Sequence, residues 1–516
     1  MMESSEAFGE LRSLLNRGRP STVVFMRLMH LCAARWGEAP AEVEDAWLPY
    51  VASHLGSWPD THRLLDVSDV TFDPREPAPW MALARRLSLS RSGLGDDDVD
   101  AIGLRTVHRE LRGLDLSHNA LGQQGARRLA RLLSRTSALE SLDVSHNTIG
   151  WPAARALLDA LAPTSVRALT LGGVSGSGDG VEGLIGADTS GFDALEVSRV
   201  FLGDARCAAL IGSGLFDGLE RLSLVGLSMG DLSAAALAER AFARLRALDL
   251  SGSFFHIGEH GGVLARLDAP TLESFALRDT LISTHGADEL AYAPWFVGLR
   301  ALDLSYGRMG AGIVRQLLKP GGLRGLRSID LSFAKPDRAD LVALAREATQ
   351  LERVSLGMCG VDDWGVVALC EGEAPLAELD LSSNADLGAR AMRALSSASQ
   401  RNPLRTLDLR GCNLDVAAAR ALEGLRVGDL DLSGCHLGDR GLAALCEVGV
   451  LDDVEVLTLR DNILGPASAR ALAGRGVTWG ILDVGENQLD EGAREVLTGA
   501  ADLVVHGDRA RRMVRA

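Results

Sequence analysis

The chain has 516 residues, of which 47% are hydrophobic and 24% charged, so it can bury a large core and does not have the composition of a disordered protein. Its formal net charge of −16 disfavours a protein that wraps nucleic acid or lies on an anionic membrane. No segment reaches the roughly 18 consecutive apolar residues of a membrane span.

The N-terminus, MMESSEAFGE, is acidic and lacks the basic and apolar regions of a secretory signal. The seven cysteines lie far apart, without a CxxC pair, which disfavours both a disulfide framework and a zinc ribbon. We therefore expect a cytoplasmic protein. Lysine occurs only at Lys319 and Lys335, while arginine supplies the other basic side chains, a bias typical of a GC-rich, bacterial genome.

Residues 1–83 form the first region in chain order, and three of their segments have helical, amphipathic patterns. These segments are residues 11–15, 23–36 and 42–55, and a run rich in proline follows them. Two interpretations are open. The region is a helical cap over the end of the following array, or it is a separate signalling or docking module.

A repeat organises residues 84–497. The segment LRGLDLSHNALG, which starts at Leu111, recurs as LESLDVSHNTIG from Leu139 and as LRALDLSYGRMG from Leu299. The frame is Leu-x-x-Leu-x-Leu-x-x-Asn-x-Leu-Gly followed by an Ala/Leu-rich half, which is a leucine-rich repeat of about 26 residues. We place sixteen starts, at Ala84, Leu111, Leu139, Val166, Phe192, Leu219, Leu245, Leu272, Leu299, Leu326, Leu351, Leu376, Leu404, Val427, Val454 and Trp479.

The frame predicts an α/β solenoid. Its Leu-x-Leu core predicts a short strand with one buried face, and segments such as residues 123–134 predict an amphipathic helix. The ninth-position Asn is expected to bind backbone groups at the turn after the strand. Because a helix is wider than the strand spacing of about 4.8 Å, we expect a horseshoe with strands on its concave face.

The period and the full helix in each repeat resemble the ribonuclease-inhibitor type of leucine-rich repeat. The resemblance covers about four fifths of the chain. It implies a horseshoe whose concave face binds a partner protein. It does not identify that partner, because this type of repeat also occurs in GTPase-activating proteins and in immune receptors.

Repeats four to six depart from the frame, with Val174, Val200 and Leu227 in place of the ninth-position Asn. We expect altered curvature or looser turns there. The Gly-rich segment 172–180 belongs either to degenerate repeats or to a hinge or insertion point for a ligand. Residues 498–516 close the last repeat and end in a basic tail, which we expect to be solvated.

No motif indicates catalysis or a cofactor. The chain has no P-loop and no HExxH, and its GxSxG at residues 226–230 coincides with positions of the repeat. The cysteines Cys359, Cys412 and Cys435 occupy the ninth position, where we expect small buried side chains with weakly hydrogen-bonding thiols. We therefore predict a protein that is not an enzyme and has neither cofactor nor metal.

The fifth position of the repeat is Asp in nine repeats. Two interpretations are equally weighted: these carboxylates stabilise the strand ladder with the seventh-position Ser, or they form an acidic trough that attracts a basic partner. The residues are Asp115, Asp143, Asp249, Asp303, Asp330, Asp380, Asp408, Asp431 and Asp483.

The eighth position varies most and is the expected site of specificity. Three consecutive repeats place Tyr306, Phe333 and Met358 side by side, which predicts a binding hot spot unless the three pack only on one another. His118 and His146 are neighbours in the same way, and we expect them to be solvated side chains rather than a metal site.

These observations predict a non-catalytic scaffold, inhibitor or sensor. We expect it to bind a partner protein that has a basic surface, and we place the binding site around repeats nine to eleven. The expected binding residues besides the three apolar ones are Arg278, Asp279, Asp303 and Asp330. The alternative is a regulator of a partner enzyme, such as a GTPase-activating protein, in which Arg278 or Arg199 completes the partner's active site. The oligomeric state is not indicated.

Overall fold

A computed structural model describes residues 2–17, 20–66, 75–102, 104, 108–134, 138–173, 180–253, 261–309, 312–319 and 323–505. The chain divides into two compact units that meet in sequence between Leu245 and Arg246. Both units are α/β leucine-rich-repeat solenoids, as the frame predicted. No helix in the described ranges is both long and apolar enough to cross a membrane.

The first unit begins with helices that occupy all three segments expected to be helical. Their core contains Trp47 and Trp58, and Trp80 is buried as well. The helices are α1 (Met2–Arg17), α2 (Thr22–Glu38), α3 (Pro40–Glu42) and α4 (Leu48–Leu55), with a π-helical turn at Val43–Trp47 and 3₁₀ turns at Asp60–His62 and Pro79–Leu83.

The sheet of the first unit is parallel throughout its described strands, and each strand pairs with the next in the chain. The strands are β1 (Leu64–Asp66), β2 (Arg86–Ser88), β3 (Gly113–Asp115), β4 (Ser141–Asp143), β5 (Ala168–Thr170), β6 (Ala194–Glu196) and β7 (Arg221–Ser223). Helices α5 (Gln123–Leu133), α6 (Trp151–Leu161), α7 (Asp204–Gly212) and α8 (Asp231–Ala238), with a 3₁₀ turn at Val181–Leu184, lie between them in sequence.

The second unit has the same parallel order. Its strands are β8 (Ala247–Asp249), β9 (Ser274–Ala276), β10 (Leu281–Ile282), β11 (Ala301–Asp303), β12 (Arg308–Met309), β13 (Ser328–Asp330), β14 (Arg353–Ser355), β15 (Glu378–Asp380), β16 (Leu404–Asp408), β17 (Val427–Asp431), β18 (Val456–Thr458), β19 (Trp479–Asp483) and β20 (Ala501–Val505). Strands β10 and β12 pair with each other, apart from the main sheet.

The helices of the second unit alternate with these strands. They are α9 (Gly261–Leu264), α10 (Thr284–Ala291), α11 (Ile313–Leu317), α12 (Arg338–Glu347), α13 (Asp363–Glu371), α14 (Ala389–Arg401), α15 (Val416–Arg420), α16 (Gly438–Glu447), α17 (Pro466–Ala473) and α18 (Glu491–Leu497), with a 3₁₀ turn at Phe296–Gly298.

Each predicted repeat start is followed by a strand over the third to fifth positions, and neighbouring strands pair the same positions. Leu114 faces Leu142, for example, and Asp303 faces Asp330. The fourth- and sixth-position side chains are buried, as at Leu302. This register arranges every position of the frame in a row across the sheet, so the fifth, seventh and eighth positions form an open face on the side away from the buried leucines.

The ninth-position Asn binds the backbone of its own repeat and of the preceding repeat. The amide nitrogen of Asn462 donates to the carbonyls of Leu432 and Arg460, at 2.6 and 3.1 Å. Its amide oxygen accepts from the backbone N–H groups of Cys435 and Leu437, at 3.0 and 3.2 Å. The predicted role of this Asn is therefore confirmed.

The ninth-position cysteines take over only the donor half of this role. The thiols of Cys359, Cys412 and Cys435 donate to the sixth-position carbonyl of the preceding repeat, at 2.9, 3.1 and 3.0 Å. All seven cysteines are buried and free, and burial raises the pKa of the Cys412 thiol to about 11. The structural interpretation of these cysteines is confirmed.

The irregular repeats substitute apolar packing for the Asn hydrogen bonds, because Val200 and Leu227 are buried at the ninth position. Val174, most of the Gly-rich segment and the basic tail lie outside the described residues. Two strands, β1 and β20, extend the sheets beyond the predicted repeat span of residues 84–497, the first into the predicted cap region and the second into the predicted closing segment.

Candidate binding surface

The eighth position of every repeat has a left-handed backbone. The φ angles at all sixteen positions lie between 49° and 67°, although only five of these residues are glycine. At each of the three apolar positions the N–H donates to the seventh-position carbonyl of the next repeat: Tyr306 to Ser332, Phe333 to Gly357 and Met358 to Ser382. The strand therefore ends in a tight turn whose eighth side chain projects from the open face.

Tyr306, Phe333 and Met358, which we call the anchor patch, lie together on the open face of the second unit. The Tyr306 and Phe333 rings are stacked, with centroids 4.2 Å apart and planes 17° apart. The exposed fractions are 54% for Tyr306, 37% for Phe333 and 48% for Met358. The two rings do pack on each other, yet each anchor residue retains a large exposed surface that a partner can cover.

The fifth-position aspartates have a structural role that the frame left open. The Oδ1 atoms of Asp303 and Asp330 accept the backbone N–H two residues later, from Ser305 at 2.9 Å and Ser332 at 2.8 Å. The other seven make the same contact. These carboxylates hold the start of the left-handed turn, and their second oxygen remains for contacts across the row.

Burial changes the electrostatics of several of these carboxyl groups. It raises the pKa of Asp303 above its ordinary value, against the hydrogen bonds from Ser305. It raises the pKa of Asp431 to about 6, and the neighbouring charge of Asp408 adds to the effect. The row is therefore not a uniform line of negative charges at neutral pH.

Arg278, at a seventh position, is held by carboxylates from both neighbouring repeats. Its guanidinium lies 3.2 Å from Asp249 Oδ2 and 3.5 Å from Asp303 Oδ2, and it also contacts Ser251. Asp279 follows at an exposed eighth position, and its N–H binds the carbonyl of Ser305. The structure therefore places Arg278, Asp279 and Asp303 together beside the anchor patch.

A shallow polar depression lies on the same open face, on the strands that precede and follow the anchor residue Met358. It has a volume of about 210 Å³, and its lining includes Ser355, Asp380, Asp408, Arg353 and Glu378. Two fifth-position aspartates and Glu378 make its lining rich in carboxylate oxygens. Part of this carboxylate surface is already paired within the chain, since Glu378 contacts Arg405 and Arg353 and Asp408 contacts Arg410.

The eighth-position row of the first unit is polar and contains imidazole and guanidinium groups. The search for exposed apolar side chains did not identify it as a binding surface. His118 and His146 are stacked, with centroids 4.2 Å and planes 10° apart, and Arg199 Nη1 lies 3.2 Å from His146 Nε2. Rings stacked face to face do not aim their in-plane lone pairs at one common ion. The geometry therefore favours the predicted interpretation that these histidines are not a metal site.

Comparisons with known proteins agree with the repeat. A family model described as "Leucine Rich repeat" matches residues 108–130, 138–158 and 429–446. The chain is 33% identical over 170 residues to the ribonuclease inhibitor of Sus scrofa, a match that covers 29% of this chain and 36% of that protein. The chain thus spans about a third of that relative's length.

Three solved structures match this chain more weakly. The TLR13–ssRNA13 complex has a TM-score of 0.47 at 17% identity, with 86% of this chain and 62% of that chain covered. The yeast Rad7–Elc1 complex scores 0.41 at 17% identity, with 69% and 91% covered. An internalin of Listeria monocytogenes scores 0.28 at 14% identity, with 82% and 86% covered.

Proposed function

We propose that this protein is a non-catalytic binding protein that holds a partner protein on the open face of its second unit. The observation that carries the proposal is the anchor patch: two stacked aromatic rings and a methionine exposed beside ion-paired polar residues. Exposed aromatic groups with a polar rim are typical of binding hot spots. The leucine-rich repeats and the partial similarity to ribonuclease inhibitor support a binding role.

The anchor patch alone is too small for tight binding. Roughly half of each side chain is already buried, so covering the rest of Tyr306, Phe333 and Met358 contributes about 2–4 kcal/mol in total, taken from about 1.5–3 kcal/mol for each fully buried side chain. Association costs remove at least this amount. The partner must therefore also contact polar residues around the patch, for which we propose Arg278, Asp279, Asp303 and Asp330.

We propose that the partner presents a basic surface. The support is the carboxylate-rich depression beside Met358 together with the net charge of −16. The same charge favours a protein over a nucleic acid as the partner of this surface. The seven free, buried thiols favour a reducing compartment such as the cytoplasm.

The contacts of Arg278 disfavour this residue as the arginine of a GTPase-activating regulator and leave Arg199 as the candidate for that alternative. An arginine that completes another enzyme's active site must reach out from the surface. Arg278 would first have to leave Asp249 and Asp303, and two carboxylates hold it on the open face. This arrangement suits a residue that presents a fixed charge at the edge of an interface.

The test is affinity capture from the native organism's lysate, followed by mass spectrometry, with the wild-type chain and a Tyr306→Gly, Phe333→Gly variant. Glycine suits the left-handed backbone of both positions, so the variant removes the rings without straining the turns. A matched control is Phe201→Ser, Tyr292→Ser, which removes two exposed aromatic rings that do not occupy the eighth position of a repeat.

We expect a protein that wild type and control capture and that the patch variant loses. The same protein must then bind the purified wild-type chain directly and bind the patch variant at least about tenfold more weakly, which corresponds to 1.4 kcal/mol. Capture of the same proteins by all three chains, or loss from both variants, would refute the proposed surface.

A further inference from the structure

The eighth-position row of the first unit carries positive charge where the corresponding row of the second unit carries the anchor patch. In chain order it reads Arg91, His118, His146, Gly173 and Arg199, which follow the consecutive strands β2 to β6. We call Arg91, His118, His146 and Arg199 the cationic row. Arg91, His118 and Arg199 are exposed, and His146 is partly exposed.

Three of the four side chains, His118, His146 and Arg199, form a connected line, and Arg91 occupies the same position of the repeat before His118. The two imidazoles stack, and Arg199 reaches back across the intervening repeat to His146 Nε2. That reach depends on Gly173, since a Cβ there would lie 2.6 Å from His146 Nδ1. A guanidinium only donates hydrogen bonds, so Nε2 accepts and His146 is held as a neutral imidazole with its proton on Nδ1.

Among the residues that the structure describes, the arginines of the cationic row lack carboxylate partners. Within the described ranges, neither Arg91 nor Arg199 lies within ion-pair distance of an Asp or Glu, whereas Arg112 and Arg244 both do. Carboxylates of the fifth position lie on the same face and are held by hydrogen bonds within the chain through one oxygen, as at Asp143, which accepts the N–H of Ser145 at 2.8 Å, and at Glu196, which accepts from the hydroxyl of Ser198 at 2.6 Å.

We propose that the cationic row binds a carboxylate-rich segment of a protein partner. Four strand spacings separate Arg91 from Arg199, a distance of about 19 Å. An extended peptide of about six residues spans this length. Its Asp or Glu side chains would pair with the two exposed guanidiniums at the ends and with the imidazoles between them, and guanidinium binds carboxylate in two parallel hydrogen bonds.

Protonation of His146 couples such binding to pH. In the free protein the pKa of His146 is lowered, first by burial and then by the charges of His118, Arg199 and Arg91, while Glu196 opposes the shift. A bound carboxylate favours the imidazolium and raises that pKa. Affinity for an acidic segment therefore increases as the pH falls from the pKa of His146 in the complex towards its lower pKa in the free protein.

The test measures fluorescence anisotropy of a labelled peptide of about six glutamates, matched to the length of the row, with the full-length protein. A glutamine peptide and an RNA oligonucleotide of similar length serve as comparison probes. The test variant is Arg91→Gly, Arg199→Gly, because glycine occupies five other eighth positions with the same backbone. The control, Arg127→Gln, Arg131→Gln, removes the same charge from exposed positions of helix α5.

The proposal expects the glutamate peptide to bind more tightly at about pH 5.5 than at about pH 8, with no binding of the glutamine peptide. It expects the test variant to lose at least about tenfold in affinity while the control keeps it. Equal affinities of both variants overturn the proposal, and so does binding of RNA alone. Tyr306→Gly, Phe333→Gly should leave this affinity unchanged, which separates the result from the fate of the anchor patch.

Discussion

The hydrogen bonds of Asn462 allow the contribution of the ninth-position side chain to the free energy of unfolding to be calculated and tested. Substitution Asn462→Ala removes a fully buried amide that serves four backbone groups. It leaves the N–H groups of Cys435 and Leu437 and the carbonyl of Leu432 without these partners. At about 1–3 kcal/mol for each of these three buried groups, we expect a loss of about 3–9 kcal/mol in the free energy of unfolding.

The neighbouring repeat provides the matched comparison, because Cys435→Ala removes a thiol from the same position of the frame. That thiol makes one short hydrogen bond, to Leu409 O, and the N–H of Leu414 binds the backbone carbonyl of Cys435 rather than the side chain. We therefore expect Cys435→Ala to cost only about 1–2 kcal/mol, from one weak bond and the lost sulfur contacts.

The assay is urea unfolding followed by far-UV circular dichroism, combined with hydrogen exchange of residues 432–438. Asn462→Ala should speed amide exchange of Cys435 and Leu437, since it frees those N–H groups, whereas Cys435→Ala should leave the Leu437 amide protected. Equal losses of stability in the two variants, or unchanged exchange of the Cys435 and Leu437 amides in Asn462→Ala, would refute the reasoning.

Three further predictions concern single positions. Ser383, at an exposed left-handed eighth position, should accept glycine within about 0.5 kcal/mol but lose about 1–2 kcal/mol on substitution by valine, as measured by urea unfolding; equal effects would contradict this. The pKa of Asp431, raised to about 6, shows that the folded state disfavours the ionised carboxylate. Asp431→Asn should therefore stabilise the protein by up to about 3 kcal/mol at pH 8 and have no effect on stability near pH 4. A difference in thermal unfolding that does not change with pH would contradict this prediction. Native Cys412 and Cys435 should resist iodoacetamide at pH 8 and react after urea unfolding, since burial raises both thiol pKa values; mass spectrometry of the alkylated peptides checks this.

The regular part of the fold could be predicted because the same physical requirement recurs in each repeat. A leucine at the fourth or sixth position must be buried wherever its strand pairs with a neighbouring strand. One repeat, such as residues 111–122, therefore allows the later repeats to be identified by the same pattern. Strands β1 and β20 were not predicted, because their residues lack the leucine frame and each pairs with a single strand among the described residues. Sequence patterns identify an element through repetition, and the ends of an array are atypical.

The sequence predicted which residues of the proposed binding surface lie side by side, but it did not predict the hydrogen bonds and ion pairs between them. The frame placed Tyr306, Phe333 and Met358 in one row, and their stacking and exposure followed from that row. The ion pairs of Arg278 could not be predicted, since its partners lie in the repeats before and after it. The left-handed backbone could not be predicted either. Only five of the sixteen eighth positions are glycine, and the other residue types at this position do not indicate a positive φ.

That constraint restricts the set of side chains with which this protein can recognise others. Residues branched at Cβ are strongly disfavoured at positive φ, and none of the sixteen eighth positions holds valine, isoleucine or threonine. Recognition along this row thus uses aromatic, unbranched, charged and small side chains, and glycine marks the gaps between them. A library designed to redirect the protein to a new partner should vary the eighth positions among these residue types only. Each such substitution alters the interface and leaves the solenoid intact.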